Sequence, residues 1–116
     1  NKVAQDVTPK TLKQRTPTTV IEGPFFYEEL DGEKKLEFIQ GEVKEINDKG
    51  YVVEREGEET LIEKERINSY SLLEYLDKDK TNAKSSKADE QTVQIGDTIG
   101  FDLKAGNRLL IIIREP

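Results

Sequence analysis

Residues 36–67, LEFIQGEVKEINDKGYVVEREGEETLIEKERI, decide the fold class of this chain. Apolar residues alternate with polar ones in three short runs, Leu36–Ile46, Tyr51–Glu56 and Thr60–Ile67. Such alternation is typical of strands with one buried face. The stretches NDKG and EGEE between the runs supply turn residues, each with a glycine that accepts positive φ. The sequence therefore predicts a three-stranded antiparallel meander.

The first of these strands contains an irregularity. Leu36 and Phe38 share one phase of the alternation, whereas Val43 falls in the other phase, and Gly41 lies between them. An extra residue in a strand shifts the phase of its side chains by one. We therefore predict a bulge near Gly41 that returns all three apolar side chains to the core.

A short helix is predicted after the meander. Asn68 is a suitable N-cap, and Ile67 and Leu72 have the spacing of a hydrophobic staple. Leu72, Leu73 and Leu76 fall on one helical face. The following stretch, residues 77–91, is almost entirely polar, and we expect a mobile loop there.

Two further strands are predicted toward the C-terminus. Ile99, Phe101 and Leu103 alternate with polar residues, and the last strand, Leu109–Ile113, is apolar on both phases. A strand of that kind is covered on both faces. The predicted cover is the apolar segment Val20–Phe26, with a partner protein or a second copy of the chain as the alternative.

The order strand, strand, strand, helix, strand, strand resembles the oligonucleotide/oligosaccharide-binding (OB) fold. The resemblance spans Leu36–Arg114 and is one of element order only. It implies a mostly β domain, built as a five-stranded barrel with one short helix between strands 3 and 4. In this chain an extra N-terminal apolar segment would be added to the barrel. An SH3-like barrel is the alternative. We expect a single domain over residues 20–116, preceded by a disordered basic leader over residues 1–19.

Composition and charge exclude several function classes. The chain has no Cys and no His, which removes thiolate chemistry, the commonest general base and most transition-metal sites. The leader carries about +3 and the remainder about −9 of the net charge of −6. So acidic a domain repels phosphate backbones, and we expect no nucleic-acid partner. We also expect no metal and no cofactor, because the calcium-loop-like run after Asp77 lacks the required glycine and glutamate.

Candidate binding residues follow from this reading. Phe25, Phe26 and Tyr27 form the densest aromatic cluster, which is either a recognition patch or part of the core. Tyr51 and Arg55 would lie on the usual binding face of an OB barrel. Leu110 and Ile112 on the last strand are the candidates for contact with a protein partner or for self-association.

The expected function is a non-enzymatic binding or protein-interaction module. The alternatives are an OB-type nucleic-acid-binding module in the cytoplasm and a carboxylate-based hydrolase. The chain contains no Met, so we expect that a preceding segment has been removed, and a signal peptide or lipid anchor is one such segment. The leader then reads as a spacer, and the expected location is extracellular or at a bacterial cell envelope, with the cytoplasm as the alternative.

Overall fold

A computed structural model describes residues 16–116 and is mostly β, with an open mixed sheet. The strands in chain order are β1 Thr18–Glu22, β2 Phe25–Leu30, β3 Glu33–Ile46, β4 Gly50–Arg55, β5 Glu58–Glu63, β6 Ser69–Tyr75, β7 Ala83–Ala88, β8 Thr98–Asp102 and β9 Leu109–Arg114. Single 3₁₀ turns lie at Lys64–Arg66, Glu90–Thr92 and Lys104–Gly106. Within residues 16–116 there is no helix long and apolar enough to cross a membrane.

Hydrogen bonds connect the strands in the order β1-β2-β3-β8-β9-β6-β7, while β4 branches from β3 and carries β5 on its other side. All neighbours are antiparallel except β6 and β9, which are parallel. The open edges of the sheet in the described residues are therefore β1, β5 and β7.

Strand β3 is long because it pairs with three other strands along its length. Its first half pairs with β2, its second half with β4, and the middle with β8. A side chain at Gly41 would place its Cβ only 2.9 Å from the carbonyl oxygen of Glu54, so a residue without a side chain is needed at this junction. The predicted bulge is displaced from Gly41, because the register shifts at Glu37 against β2 and at Lys44 against β4.

The predicted meander is present as β3, β4 and β5. In the first turn the side chain of Asn47 accepts hydrogen bonds from the backbone N–H groups of Lys49 and Gly50, at 2.9 and 3.1 Å. The second is a two-residue turn in which Glu56 and Gly57 both have positive φ, 55° and 83°, as in a type I′ hairpin.

The core is formed by inward side chains of five strands and one loop. The fully buried or nearly buried apolar residues are Ile39, Val43, Tyr51, Val53, Ile62, Val93, Ile99, Phe101, Leu110 and Ile112. The burial of β9 alternates residue by residue from Leu109 to Ile112. Because β4 and β5 contribute to the same cluster as β8 and β9, the sheet folds over so that its two parts share one core.

The predicted helix is wrong, since residues 69–75 form β6. Tyr70 and Leu72 point toward the core, and the strand has hydrogen-bonded neighbours on both sides, β7 and β9. The pairing with β9 outweighs the helical spacing of the leucines. The predicted count of five strands is also wrong, and closure of a barrel is not shown.

Two further expectations about segments are corrected. The polar stretch 77–91 is not an irregular loop throughout, because it contains β7 and a 3₁₀ turn whose N-cap, Asp89, accepts a hydrogen bond from the backbone N–H of Gln91. The segment Val20–Phe26 does not lie over β9. It forms parts of β1 and β2, which β3 and β8 separate from β9 within the sheet. Most of the predicted leader, residues 1–15, lies outside the described residues.

Candidate binding face on the outer side of the sheet

The side of the sheet opposite the core carries a run of apolar side chains. We call this the outer face, and its apolar members are Ile21, Phe26, Phe38, Leu73, Leu109, Ile111 and Ile113. Cross-strand pairs fix the assignment: Phe26 is opposite Phe38, and Gly100 is opposite Ile111. Phe25, Ile39, Leu72, Leu110 and Ile112, which adjoin these residues along β2, β3, β6 and β9, belong to the core or pack against it, so the outer-face residues of those strands point outward. Ile21 is opposite Phe26 and shares its side of the sheet. Ile21 is 50% exposed and the others are partly buried.

The ring of Phe38 lies across the backbone of β8. A Cβ atom added at Gly100 would come within 2.5 Å of Phe38 Cζ, so the absence of a side chain there makes room for the ring. Phe26 packs edge-on against Phe38, with ring centroids 5.7 Å apart and an interplanar angle of 89°. This geometry is favourable for aromatic pairs. The two rings are therefore held in a fixed arrangement across β2, β3 and β8.

Arg55 fixes the other side of the aromatic pair. Its guanidinium group donates a hydrogen bond of 2.8 Å to the carbonyl oxygen of Gly23, and it lies 5.3 Å from the ring centroid of Phe26. Cations over aromatic faces are attracted by the ring quadrupole. Arg55 thus ties β4 to the turn between β1 and β2 and holds Phe26 in place.

Next to the aromatic pair lies a groove of about 350 Å³. Its lining residues are Thr19, Phe26, Tyr27, Glu28, Glu37, Phe38, Asp102 and Lys104. Three of these are carboxylates and one is a lysine. The side chain of Glu37 is only 12% exposed, and its nearest cation is Lys35 at 3.8 Å. The groove therefore combines aromatic walls with an excess of negative charge.

The structure brings together some of the predicted binding residues and separates others. Phe26 and Tyr27 line the groove, and the guanidinium group of Arg55 contacts the ring of Phe26. The ammonium group of Lys34 lies 5.1 Å from the ring centroid of Tyr27. Phe25, in contrast, points inward and packs against the core cluster. The ring of Tyr27 lies on the same side of β2 as that of Phe25, with centroids 6.3 Å apart, so of the predicted aromatic cluster Phe26 is the member whose ring packs against Phe38 beside the groove.

Leu110 and Ile112 lie in the core, each with 0% of its surface exposed. The residues of β9 that point outward are Leu109, Ile111 and Ile113, which alternate with them. Contact between β9 and a partner in this structure would therefore involve the odd-numbered positions, not the two that the sequence analysis selected.

Tyr51 is also buried. Its hydroxyl is 3.1 Å from the hydroxyl of Tyr70 and donates a 3.1 Å hydrogen bond to the backbone oxygen of Glu90. Burial, together with the hydrogen bond to Tyr70, raises the pKa of Tyr51 far above its ordinary value. The phenol therefore stays neutral and links β4 to β6 across the core.

The run after Asp77 forms a closed turn. The carboxylate of Asp77 accepts hydrogen bonds from the backbone N–H groups and the side chains of both Thr81 and Asn82. These bonds lower the pKa of Asp77 to about 2. Within residues 16–116 no group of three or more acidic side chains is arranged to hold a metal ion.

Phe38, Glu37, Asp102 and Ile111 belong to the candidate site and were not selected from the sequence. A signal for Phe38 was present, because Ile39, Gly41 and Val43 form an inward period of two that turns Phe38 outward. The corresponding pattern in β8 turns Gly100 and Asp102 outward. Comparisons with protein-family models, curated proteins and solved structures give no match for this chain.

Proposed function

We propose that this domain is a non-enzymatic protein-interaction module that binds its partner with the outer face of the sheet. The observation that carries the proposal is the aromatic groove around Phe26 and Phe38, which continues into the outward side chains of β9. A run of partly exposed apolar side chains flanked by charged ones is the composition of an interaction surface. Aromatic side chains, Phe included, are also enriched in the cores of protein interfaces.

Support for the apolar part of the proposal comes from the pairing of β9. Its outward residues Ile111 and Ile113 lie opposite Gly100 and Thr98 of β8 and next to Ser71 and Leu73 of β6. The neighbouring side chains are small or apolar, so they leave the two isoleucines accessible to a partner. This surface lies on six adjacent strands of one sheet, β1-β2-β3-β8-β9-β6, which gives a partner a rigid platform that needs little rearrangement on binding.

We also propose that the fold is a variant of the OB type. Three observations support the idea: the β3-β4-β5 meander, the β8-β9 hairpin and the parallel pairing of β6 with β9. Residues 64–68 connect β5 to β6, so the two ends of the path β5-β4-β3-β8-β9-β6 are adjacent in sequence. Location at a bacterial cell envelope, through a spacer formed by the basic leader, belongs to the same proposal, and cell fractionation of the full-length product tests it.

A peptide-display selection tests the proposed surface. Immobilised chain is used to enrich displayed random peptides, and each enriched peptide is then measured against the Ile111→Glu variant. We expect binding to fall at least about tenfold, because a carboxylate in the centre of the outer face must be desolvated when a partner covers it. Retention of wild-type affinity by Ile111→Glu would exclude the outer face as the binding surface.

The matched control is Leu61→Glu. Leu61 is also partly exposed, at 36%, but it lies on β5 and outside the outer face. We expect this variant to bind the enriched peptides as the wild type does. Thermal unfolding of both variants, followed by circular dichroism, shows whether each is folded under the binding conditions.

A further inference from the structure

Building on the proposed function, we infer that the partner presents an extended basic segment, and that a Lys or Arg side chain of this segment occupies the groove beside Phe26 and Phe38. The argument rests on the charge of the groove, on its aromatic walls and on the charge of the domain around it. Each of these favours a cation on an aliphatic stem over a neutral or acidic side chain.

The charge of the groove is the first step. Glu28, Glu37 and Asp102 outnumber Lys104 among the residues that line it. Glu37 is mostly buried and is paired only at 3.8 Å with a lysine whose own side chain is 74% exposed. This distance is longer than a hydrogen bond and the lysine is solvated, so the pair contributes little energy. A guanidinium or ammonium group entering the groove would supply a closer partner.

The aromatic walls are the second step. Lys and Arg side chains place their methylene stems on apolar surface and keep the charged end in a polar environment. Phe26 and Phe38 provide that surface, and Glu28, Glu37 and Asp102 line the same groove. Two aromatic rings of β2 already have cations of this chain over them, Arg55 on Phe26 at 5.3 Å and Lys34 on Tyr27 at 5.1 Å. The inferred contact repeats this chemistry with a side chain from the partner.

The surrounding charge is the third step. Residues 16–116 carry about −9, so the potential around the groove attracts basic segments and repels acidic ones. Complementary charge of this kind raises association rates and selects among partners. The inferred partner is therefore a protein segment in which a basic residue is flanked by apolar residues that reach Ile111.

The test compares the amino-acid composition of displayed peptides selected on two variants. In the groove variant, Glu28→Gln and Asp102→Asn remove two charges and keep the side-chain shapes. In the control variant, Asp48→Asn and Glu65→Gln remove two exposed charges from the depression around Lys64. We expect peptides selected on the wild type and on the control to be enriched in Lys and Arg next to Leu, Ile or Val. We expect the groove variant to bind those peptides about five- to twentyfold more weakly.

The outcomes separate the two proposals. Enriched peptides that depend on Ile111 but have no excess of basic residues would overturn the inferred partner chemistry and leave the outer face as a binding surface. Loss of peptide binding in the control variant to the same extent as in the groove variant would assign the effect to net charge and also overturn the inference. A polyamine such as spermidine that displaces the peptides at equal concentration would identify a free cation, not a protein segment, as the ligand.

Discussion

The two neighbouring isoleucines of β9 provide the most direct test of the face assignment. Ile112 is fully buried in the core, whereas Ile111 points to the outer face and is only partly buried. Ile112→Ala removes three carbon atoms from a packed site, which costs about 2.4 kcal/mol in transfer free energy at ~0.8 kcal/mol per methylene. The cavity left behind raises the expected loss of unfolding free energy to about 3–4 kcal/mol.

Ile111→Ala loses contacts that are partly exposed to solvent, so we expect a loss of only about 1 kcal/mol. Urea unfolding of both variants measures the two losses of unfolding free energy. The slope of free energy against urea concentration should be the same for both variants and the wild type. Equal losses for the two variants, or a larger loss at Ile111, would refute the assignment of inner and outer faces. By the same reasoning Ile112→Lys is expected to unfold the domain, because it places a charge in the core.

Three further predictions follow from local geometry. Gly100→Ala is expected to lower the free energy of unfolding by about 1–3 kcal/mol, because the added methyl group collides with the ring of Phe38. The loss should be markedly smaller when Phe38→Ala is already present, and additive losses for the two substitutions would contradict this reason. Burial raises the pKa of Tyr51 and Tyr70 above 10, so these phenols ionise at lower pH in the unfolded chain than in the folded domain. The free energy of unfolding should therefore fall as the pH rises above about 10. In urea unfolding at alkaline pH, Tyr51→Phe should make this fall smaller. The pKa of Asp77 is lowered from 3.8 to about 2, so the stabilisation that this carboxylate gives the fold is complete above pH 3.8 and is lost as the pH falls through 2. An NMR titration of its carboxyl carbon with a midpoint near 4 would contradict the hydrogen-bonded turn.

The meander could be predicted from sequence because its signals are local. Alternation in β3, β4 and β5 and turn residues such as Asn47 and Gly57 act within a few positions of each other. The dipeptide Asp31-Gly32 is a further local turn signal that our prediction did not use. Both residues have positive φ, and they form the turn of the β2-β3 hairpin. Recognition of this turn would have identified β2 as a strand paired with the start of β3.

The segment SYSLLEY could not be assigned from local pattern alone. Its leucines fit one face of a helix, and Tyr70 and Leu72 fit the inner face of a strand equally well. The choice is made by pairing with β9, which lies about forty residues later in the chain. Strand β7 has only a weak apolar signal, since its sequence is AKSSKA. It pairs with β6 at the edge of the sheet, and Ala88 packs against the core.

The candidate site was predicted only in part for a related reason. Aromatic residues are apolar enough for either face, and only the phase of their strand separates core from surface. The bulge at Glu37 changes that phase within β3, so Leu36 packs inward while Phe38 points outward. A one-residue shift of phase exchanges the two faces of a strand. The predicted bulge at Gly41 lies after Phe38 and the observed one at Glu37 lies before it, so the prediction assigned Phe38 to the wrong face.

The parallel pairing of β6 with β9 also has a consequence for biosynthesis. Strand β6 leaves the ribosome well before β9, and β8 likewise needs β9 as its second neighbour. Until Leu109–Arg114 has been made, the inner side chains of β6 lack the strand that orders them, and the outer edge of β8 is open. Contacts between distant parts of a chain form slowly and leave strand edges exposed in the meantime. Pairing of β6 and β8 in this sheet therefore awaits the synthesis of β9.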